Sequence, residues 1–133
     1  MDVRIVTAGL LEEKGAFLLG RKASGSQAGR WEFPGGKTEP GEDEREALRR
    51  EFREELGVDI MVNHFFMATS FMSAGQQYEL HVYFVKLVSG RPRCLEHAEL
   101  AWVRPEEFGQ FDFAPSDAAV AQALSRTSLG GRA

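Results

Sequence analysis

The sequence contains a single cysteine, Cys94, so no disulfide can form within the chain. We expect Cys94 to be a small buried or half-buried hydrophobic residue, and a reducing cytoplasm is the default location. No apolar run approaches the roughly 20 residues that span a membrane, and the first residues are too acidic for a signal peptide. The 16 basic residues are outnumbered by 20 acidic ones, which gives a net charge of −4. That balance disfavours long nucleic acid and anionic membranes as partners, because both attract a basic face.

The chain is long enough for one domain with its own hydrophobic core. It has 133 residues, of which 43% are hydrophobic and 27% are charged, as in an ordinary globular protein. We predict a single domain over residues 1–126 and a frayed C-terminal tail over residues 127–133. The sequence leaves the choice between a monomer and a homodimer open.

Strand-like segments surround two helix-like segments. Asp43 as N-cap and Gly57 as C-terminal cap predict a helix over residues 44–56. A last helix is predicted from Ser116 to about Ser125. Extended segments are predicted over residues 3–11, 16–21, 31–33, 58–72, 78–88 and 98–105. This alternation favours an α+β or mixed α/β domain.

The first helix carries three carboxylates on one arc. With Glu51 at 0° on a helical wheel, Glu55 lies at about 40° and Glu54 at about −60°. Like charges at these spacings repel one another, so the arrangement needs a reason. One interpretation is a solvated face balanced by the neighbouring arginines. The other is a site for hard divalent cations, because Mg²⁺ prefers carboxylate oxygens.

The spacing of the surrounding residues decides between these interpretations. Gly36 is followed after five residues by Glu42 and, after seven more, by REFREELGV at residues 50–58. The pattern resembles the Nudix box, G-x5-E-x7-R-E-U-x-E-E-x-G-U with U a bulky apolar residue, at every fixed position. Such a match arises by chance on the order of once in 10⁷ chains of this length. The resemblance therefore favours the cation site.

The resemblance extends beyond the box to most of the chain. The segments GRWEFPGGK, EHAELAWVRPEEF and FAPSDAAVAQAL are similar to the MutT-type branch, which acts on nucleoside triphosphates. They are most similar to its bacterial CTP pyrophosphohydrolases. The implied architecture is the Nudix fold, a mixed β-sheet sandwiched between helices (α/β/α).

The resemblance also implies a metal site with Mg²⁺ as cofactor and Mn²⁺ as a substitute. The implied ligands are Glu51, Glu54, Glu55, Glu96 and the backbone carbonyl of Gly35. By the same correspondence, Arg50 orients Glu51, and Glu42 braces the junction between loop and helix. Glu99 lies three residues from Glu96, which leaves open which of the two is the loop glutamate of the family.

The implied reaction is hydrolysis of a nucleoside triphosphate to the monophosphate and pyrophosphate, with two or three metal ions on the polyphosphate. Water attacks the β-phosphorus, and either Glu51 or Glu96 accepts its proton. Arg21, Lys22 and Lys37 are candidate phosphate contacts, with a solvated surface position as the alternative for each.

Asp117 corresponds to the position at which the MutT branch contacts the base. An ionised carboxylate only accepts hydrogen bonds, which suits the exocyclic amine of cytosine. The N–H groups of a guanine edge also fit, and a helix N-cap is the alternative role. Phe33, Phe71 and Tyr78 are candidates for stacking on the base, with burial in the core as the alternative.

The predicted substrate is CTP, dCTP or a damaged pyrimidine nucleotide. Three other functions stay open: cleansing of 8-oxo-dGTP, hydrolysis of ADP-ribose or a similar nucleoside diphosphate, and nucleotide sensing without turnover. A sensor is expected to carry a damaged box, and this box is intact. Among the histidines, His81 is predicted to be structural, and no role is predicted for His64 or His97.

Overall fold

The computed structural model describes residues 2–130, with side-chain environments through residue 127. Its strands are β1 (Val3–Glu13), β2 (Ala16–Arg21), β3 (Trp31–Glu32), β4 (Gly35–Lys37), β5 (Asp59–Ser73), β6 (Gln76–Ser89) and β7 (Glu99–Val103). Its helices are α1 (Glu44–Leu56), the 3₁₀ helix Pro105–Gln110 and α2 (Pro115–Gly130). None of the helices described over residues 2–130 is long and apolar enough to cross a membrane.

The strands form one mixed sheet in the order β3-β2-β1-β6-β5, with β4 paired to β1 and β7 paired to β2. β1 runs parallel to β6, from the pair Val3 and Gln77 to the pair Leu11 and Val85. The other pairings are antiparallel. β1 therefore connects the long β5–β6 hairpin to the shorter strands on its other side.

Two hydrophobic cores cover the two faces of the sheet. On one face, the apolar stripe of α1 is fully buried against β1, β2, β5 and β6; its members are Leu48, Phe52 and Leu56. On the other face, Val120 and Leu124 of α2 pack with Phe108 of the 3₁₀ helix. Burying each large apolar side chain contributes about 1.5–3 kcal/mol. The predicted sheet between helices is thus confirmed.

Both ends of α1 have the predicted caps. The carboxylate of Asp43 accepts hydrogen bonds from the backbone N–H groups of Arg45 and Glu46, at 2.8 and 3.1 Å. Gly57 ends the helix in the left-handed conformation, with φ 68°, and its N–H donates to the carbonyl of Arg53 at 3.0 Å. These caps fix where the acidic arc of the helix begins and ends.

His81 has structural contacts, as predicted. Its Nδ1 lies 2.6 Å from Glu44 at the start of α1, and its Nε2 lies 2.6 Å from Glu79 on β6. Burial lowers the pKa of His81, but the hydrogen bonds to Glu79 and Glu44 outweigh it and leave that pKa above its ordinary value. The imidazole thus ties the N-terminal end of the helix to the sheet.

The sequence did not predict β4. None of the predicted extended segments includes Gly35–Lys37, yet these residues pair antiparallel with residues 6–8 of β1. Gly35 has φ 156°, and a Cβ at this position would collide with the carbonyl group of Thr7. A three-residue strand made by long-range pairing leaves no alternating pattern to detect.

Two further expectations differ from the structure. Cys94 is exposed and not buried, because it lies in the loop before β7, where its thiol donates to the carbonyl of His97 at 3.0 Å. α2 continues past Ser125 to Gly130, so the predicted tail over residues 127–133 begins within a helix. Residues 131–133 lie outside the described residues, and the predicted domain limits stay predictions.

Candidate active site

The glycine-containing loop, residues 34–42, begins with the short strand β4 and lies directly against the acidic side of α1. The backbone N–H of Gly9 donates to the carbonyl of Pro34 at 2.8 Å, and the hydroxyl of Thr7 donates to the carbonyl of Gly36 at 3.0 Å. These bonds hold the loop on β1. A Cβ at Gly36 would collide with the carboxylate of Glu51. Glycine is required here because loop backbone and helix carboxylate approach so closely.

Arg50 connects the loop to the carboxylates of the helix. Its Nε and Nη2 donate to the two carboxylate oxygens of Glu42, at 2.8 and 3.0 Å. Its Nη1 donates to Glu51 at 2.6 Å, and its Nη2 also donates to the carbonyl of Lys37 at 3.0 Å. The guanidinium lowers the pKa of Glu42 to about 2. Arg50 thus contacts Glu51 and Glu42 together, and the predicted orienting and bracing roles of these residues stay predictions.

The three carboxylates of the acidic arc have very different exposures. The side chain of Glu54 is 51% exposed, that of Glu51 is 15% exposed and that of Glu55 is 8% exposed. Oε1 of Glu55 is buried without a hydrogen-bond partner among the described residues. Burial, with the adjacent carboxyl of Glu51 and the charge of Glu32, raises the pKa of Glu55 to about 10.

Glu96 and Glu55 border one small cavity, although Glu96 lies outside the helix. The other residues that line this cavity are Lys22, Ala23, Ser24, Glu32 and His97. Glu99, the other candidate, instead lies 3.3 Å from Arg21. The structure thus brings Glu96 to the same cavity as Glu55 and leaves Glu99 on β7, and the role of Glu96 stays a prediction.

A larger cavity of about 450 Å³ begins at Glu55 and extends over the other face of the sheet. Its volume is within the range of small-molecule sites. Six of its lining residues were named from the sequence as candidate substrate contacts: Lys22, Phe33, Lys37, Phe71, Tyr78 and Asp117. Gly35, whose carbonyl is an implied metal ligand, also lines it, but Arg21 does not. Arg21 pairs with Glu99, which gives it a partner other than a phosphate.

Asp117 is buried at this cavity. Its Oδ1 accepts a hydrogen bond from the backbone N–H of Phe33 at 3.0 Å, and its Oδ2 lies 3.4 Å from the hydroxyl of Ser116. Asp117 thereby ties α2 to the segment before the glycine-containing loop. Burial, followed by the charge of Glu32, raises the pKa of Asp117 to about 7. The neutral form is therefore accessible near neutral pH, and unlike the ionised form it can also donate a hydrogen bond.

The aromatic candidates are already packed against protein groups. Phe33 is 2% exposed, and its ring stacks on Phe113 with centroids 5.7 Å apart. Tyr78 stacks on Phe71 with centroids 5.2 Å apart, and Nζ of Lys37 lies 5.2 Å from the same ring. Packing within the protein therefore covers most of the surface of Phe33 and Tyr78, and stacking on a base stays a prediction.

Comparison with known proteins identifies the family. The model of the NUDIX domain matches residues 1–124. The chain is 40% identical over 120 residues to the CTP pyrophosphohydrolase of Escherichia coli, covering 90% of this chain and 89% of that protein. This chain belongs to the Nudix hydrolase family. The likeness expected from the sequence, to this family and to bacterial CTP pyrophosphohydrolases, is confirmed.

Two other comparisons bear on this Nudix hydrolase. It is 36% identical over 134 residues to a Mycobacterium tuberculosis protein named "Putative 8-oxo-dGTP diphosphatase 2", covering 98% of this chain and 94% of that protein. A crystal structure of a MutT Nudix hydrolase from Burkholderia pseudomallei superposes with a TM-score of 0.84 at 24% identity, covering 93% of this chain and 99% of that one. The superposition confirms the predicted fold.

The residues of this Nudix hydrolase fit a divalent cation. Oxygen ligands are what hard cations prefer, and Oε1 of Glu55 is a buried oxygen with no other partner among the described residues. Ligand atoms of Glu32, Glu55 and His97 all lie within 4.8 Å of one another. The choice of Mg²⁺ or Mn²⁺, the oligomeric state and the cytoplasmic location stay predictions.

No role was predicted from the sequence for Glu32 or His97, although both border the smaller cavity and Glu32 also borders the larger one. Glu32 lies between Nζ of Lys22, at 3.3 Å, and Nε2 of His97, at 2.9 Å. Neither residue belongs to the Nudix box. The one available signal was their position, since Glu32 precedes Phe33 in the segment GRWEFPGGK and His97 follows Glu96.

Proposed function

We propose that this Nudix hydrolase converts a nucleoside triphosphate and water into the monophosphate and pyrophosphate, with CTP or dCTP as the preferred substrate. The observation that carries the proposal is one cavity that has a helix carboxylate, Glu55, and a buried base-edge candidate, Asp117, in its lining. Lys22 and Lys37 supply positive charge to the same cavity. The similarity to the Escherichia coli CTP pyrophosphohydrolase supports the same substrate class.

The carboxylates around Glu55 would hold the divalent cation. Glu51, Glu54 and Glu55 are the proposed ligands on α1, with Glu96 and the carbonyl of Gly35 beside them. When bound, the cation neutralises charge on the polyphosphate and lowers the pKa of a coordinated water. We propose Mg²⁺, because carboxylate oxygens and a phosphate-bearing substrate are its usual partners.

The residues of the chain then orient the reacting groups. Arg50 holds Glu51 by the bond of 2.6 Å and is itself fixed by Glu42. Lys37 and Lys22 are the proposed contacts to phosphate oxygens. Either Glu51 or Glu96 is proposed to accept the proton of the attacking water.

Base selection is assigned to Asp117. The edge of cytosine offers an amine donor at N4 and an acceptor at N3. A carboxyl group that is partly neutral can accept from the first and donate to the second. An edge that offers only donors, such as N1–H and N2–H₂ of guanine, would favour the ionised form instead.

The test is pyrophosphate release with Mg²⁺ from CTP, dCTP, 5-methyl-dCTP, 8-oxo-dGTP, dGTP, ATP and ADP-ribose, ranked by kcat/KM. Asp117→Asn is the informative variant, because its side-chain oxygen can still accept the hydrogen bond from Phe33. We expect the preference for cytosine over other bases to fall by about 10-fold or more. Asp112→Asn is the matched control, since Asp112 is 78% exposed and does not line the cavity.

Other outcomes would change the assignment. An equal loss for every substrate would make Asp117 a structural tie and not a base contact. Dominant turnover of 8-oxo-dGTP would support the second candidate function, which the similarity to the Mycobacterium tuberculosis protein favours. Tight nucleotide binding without turnover of any substrate would contradict the proposal and favour a sensor.

A further inference from the structure

The loop over residues 90–98, between β6 and β7, is fastened to the C-terminal end of the helix that carries the acidic arc. The backbone N–H of Arg93 donates to the carbonyl of Leu56 at 2.9 Å, and that of Leu95 donates to the carbonyl of Glu55 at 3.2 Å. Ala98 donates to the carbonyl of Arg21 at 2.9 Å. Carbonyls at a helix C-terminus lack intrahelical partners, so this loop satisfies two of them.

The fastened loop presents His97 to two carboxylates. The imidazole is 4% exposed, and its Nε2 lies 2.9 Å from Oε2 of Glu32 but 3.7 Å from Oε1 of Glu55. The ring lies against the backbone of β2 at Gly20, where a Cβ would overlap the imidazole. Nδ1 has no hydrogen-bond partner among the described residues. Among the described residues, the ring therefore makes one hydrogen bond, and that bond is with Glu32.

We infer that His97 is a positioning residue for the cation site, through its hydrogen bond to Glu32. A separation of 2.9 Å is a hydrogen bond and 3.7 Å is not, so the Nε2 proton belongs to the bond with Glu32. This bond holds Glu32 at the cavity. It leaves Oε1 of Glu55 without a donor in the part of the chain that the structure describes, so this oxygen can bind a cation. The inference rests on the proposed use of a divalent cation.

The test measures the Mn²⁺ affinity of His97→Leu and of His97→Gln. Mn²⁺ is titrated into each protein without nucleotide, and binding is monitored by electron paramagnetic resonance. Leucine fills space but donates no hydrogen bond, whereas the glutamine amide can donate to Glu32. We expect Mn²⁺ affinity to fall by about 10-fold or more in His97→Leu, as is usual when a partner of a ligand set is lost. His97→Gln should recover most of that affinity.

Gly20→Ala provides a second, independent variant. It displaces the imidazole without altering any carboxylate or the histidine itself. The expected result is weaker Mn²⁺ binding and a higher Mg²⁺ concentration for half-maximal hydrolysis, with the KM for nucleotide unchanged at saturating Mg²⁺. Thermal unfolding of each variant in EDTA separates this effect from a general loss of stability.

Three results would overturn the inference. Wild-type Mn²⁺ affinity in His97→Leu would show that the imidazole does not position the site. Equal losses of affinity and thermal stability in the Leu and Gln variants would make His97 a packing residue. Hyperfine coupling of bound Mn²⁺ to an imidazole nitrogen would make His97 a ligand. Because Mn²⁺ binding is measured without nucleotide, the inference can hold even if the proposed substrate is wrong.

Discussion

Replacing Glu55 with glutamine should stabilise the metal-free protein while removing metal-dependent hydrolysis. The side chain of Glu55 is 8% exposed, and its Oε1 lacks a partner among the described residues. A buried carboxylate without compensation opposes folding, because its charged form loses hydration. Glutamine keeps the shape and a similar helix propensity but has no charge.

The size of the effect follows from the pKa of Glu55. Burial and the neighbouring carboxylates raise that pKa from its ordinary value of 4.5 to about 10. The folded chain therefore holds a proton that the unfolded chain releases above about pH 4.5, so stability falls as pH rises toward the folded pKa. Each pH unit above the unfolded pKa lowers the free energy of unfolding by about 1.4 kcal/mol, so keeping the Glu55 proton in the folded state costs about 3 kcal/mol at pH 7. A poorly paired amide offsets about 1 kcal/mol, leaving a gain of about 2 kcal/mol.

The assay is urea unfolding in EDTA at several pH values. The advantage of Glu55→Gln over the wild type should be small near pH 5 and should grow toward pH 9. Glu54→Gln is the matched control on the same helix, because its side chain is 51% exposed. It should change stability little, although it too should lose metal-dependent hydrolysis. The reasoning is refuted if Glu55→Gln is no more stable than the wild type at pH 7, or if its advantage does not depend on pH.

Two further variants test contacts of α1, one at the middle of the helix and one at its N-terminal end. Arg50→Lys should lower kcat by about 10- to 100-fold with little change in KM, because lysine cannot donate hydrogen bonds to Glu42 and Glu51 at the same time. Wild-type turnover in steady-state kinetics would contradict the orienting role. His81→Phe should be less stable than the wild type, most clearly below about pH 6.5, where the raised pKa of His81 makes its full contribution. That contribution should be lost as pH rises through the folded pKa. Urea unfolding should therefore show that the wild type and His81→Phe differ less in free energy of unfolding as the pH rises from 6 to 9. A difference that stays constant over this range would exclude a role for the charged imidazole.

Local patterns account for the parts of the fold that were predicted. Asp43 and Gly57 mark the ends of α1 because capping depends on a few consecutive residues. β4 escaped prediction because its pairing with β1 joins segments about thirty positions apart, as in the bond between Thr7 and Gly36. The exposure of Cys94 was missed for a related reason, since its loop is fixed by contacts with a helix far back in the chain.

In the candidate site, too, the sequence predicted what local patterns determine and missed what contacts between distant segments determine. The box placed Glu51, Glu54 and Glu55 on one arc, but spacing alone cannot tell that one of them is half-exposed and another is buried. The glycine-containing loop and the loop over residues 90–98 create that difference, and both approach α1 from elsewhere in the chain. Asp117 shows the same limit: helix-start patterns suggested a cap, whereas its carboxylate accepts from the N–H of Phe33, on a segment remote in sequence.

The contrast between the two halves of α1 argues against a merely solvated acidic helix. At the N-terminal end, Asp43 caps the helix and Glu44 bonds to both His81 and Tyr83. At the C-terminal end, Glu55 is buried near other carboxylates, and its Oε1 has no hydrogen-bond partner among the described residues. Glu54 is what a solvated face would show, since its side chain is 51% exposed and lies 3.4 Å from Arg50, but Glu55 is only 8% exposed. Sequences leave buried polar atoms unpaired mainly where function requires it. A bound cation supplies the reason for Oε1 of Glu55, which has no hydrogen-bond partner in the part of the chain that the structure describes.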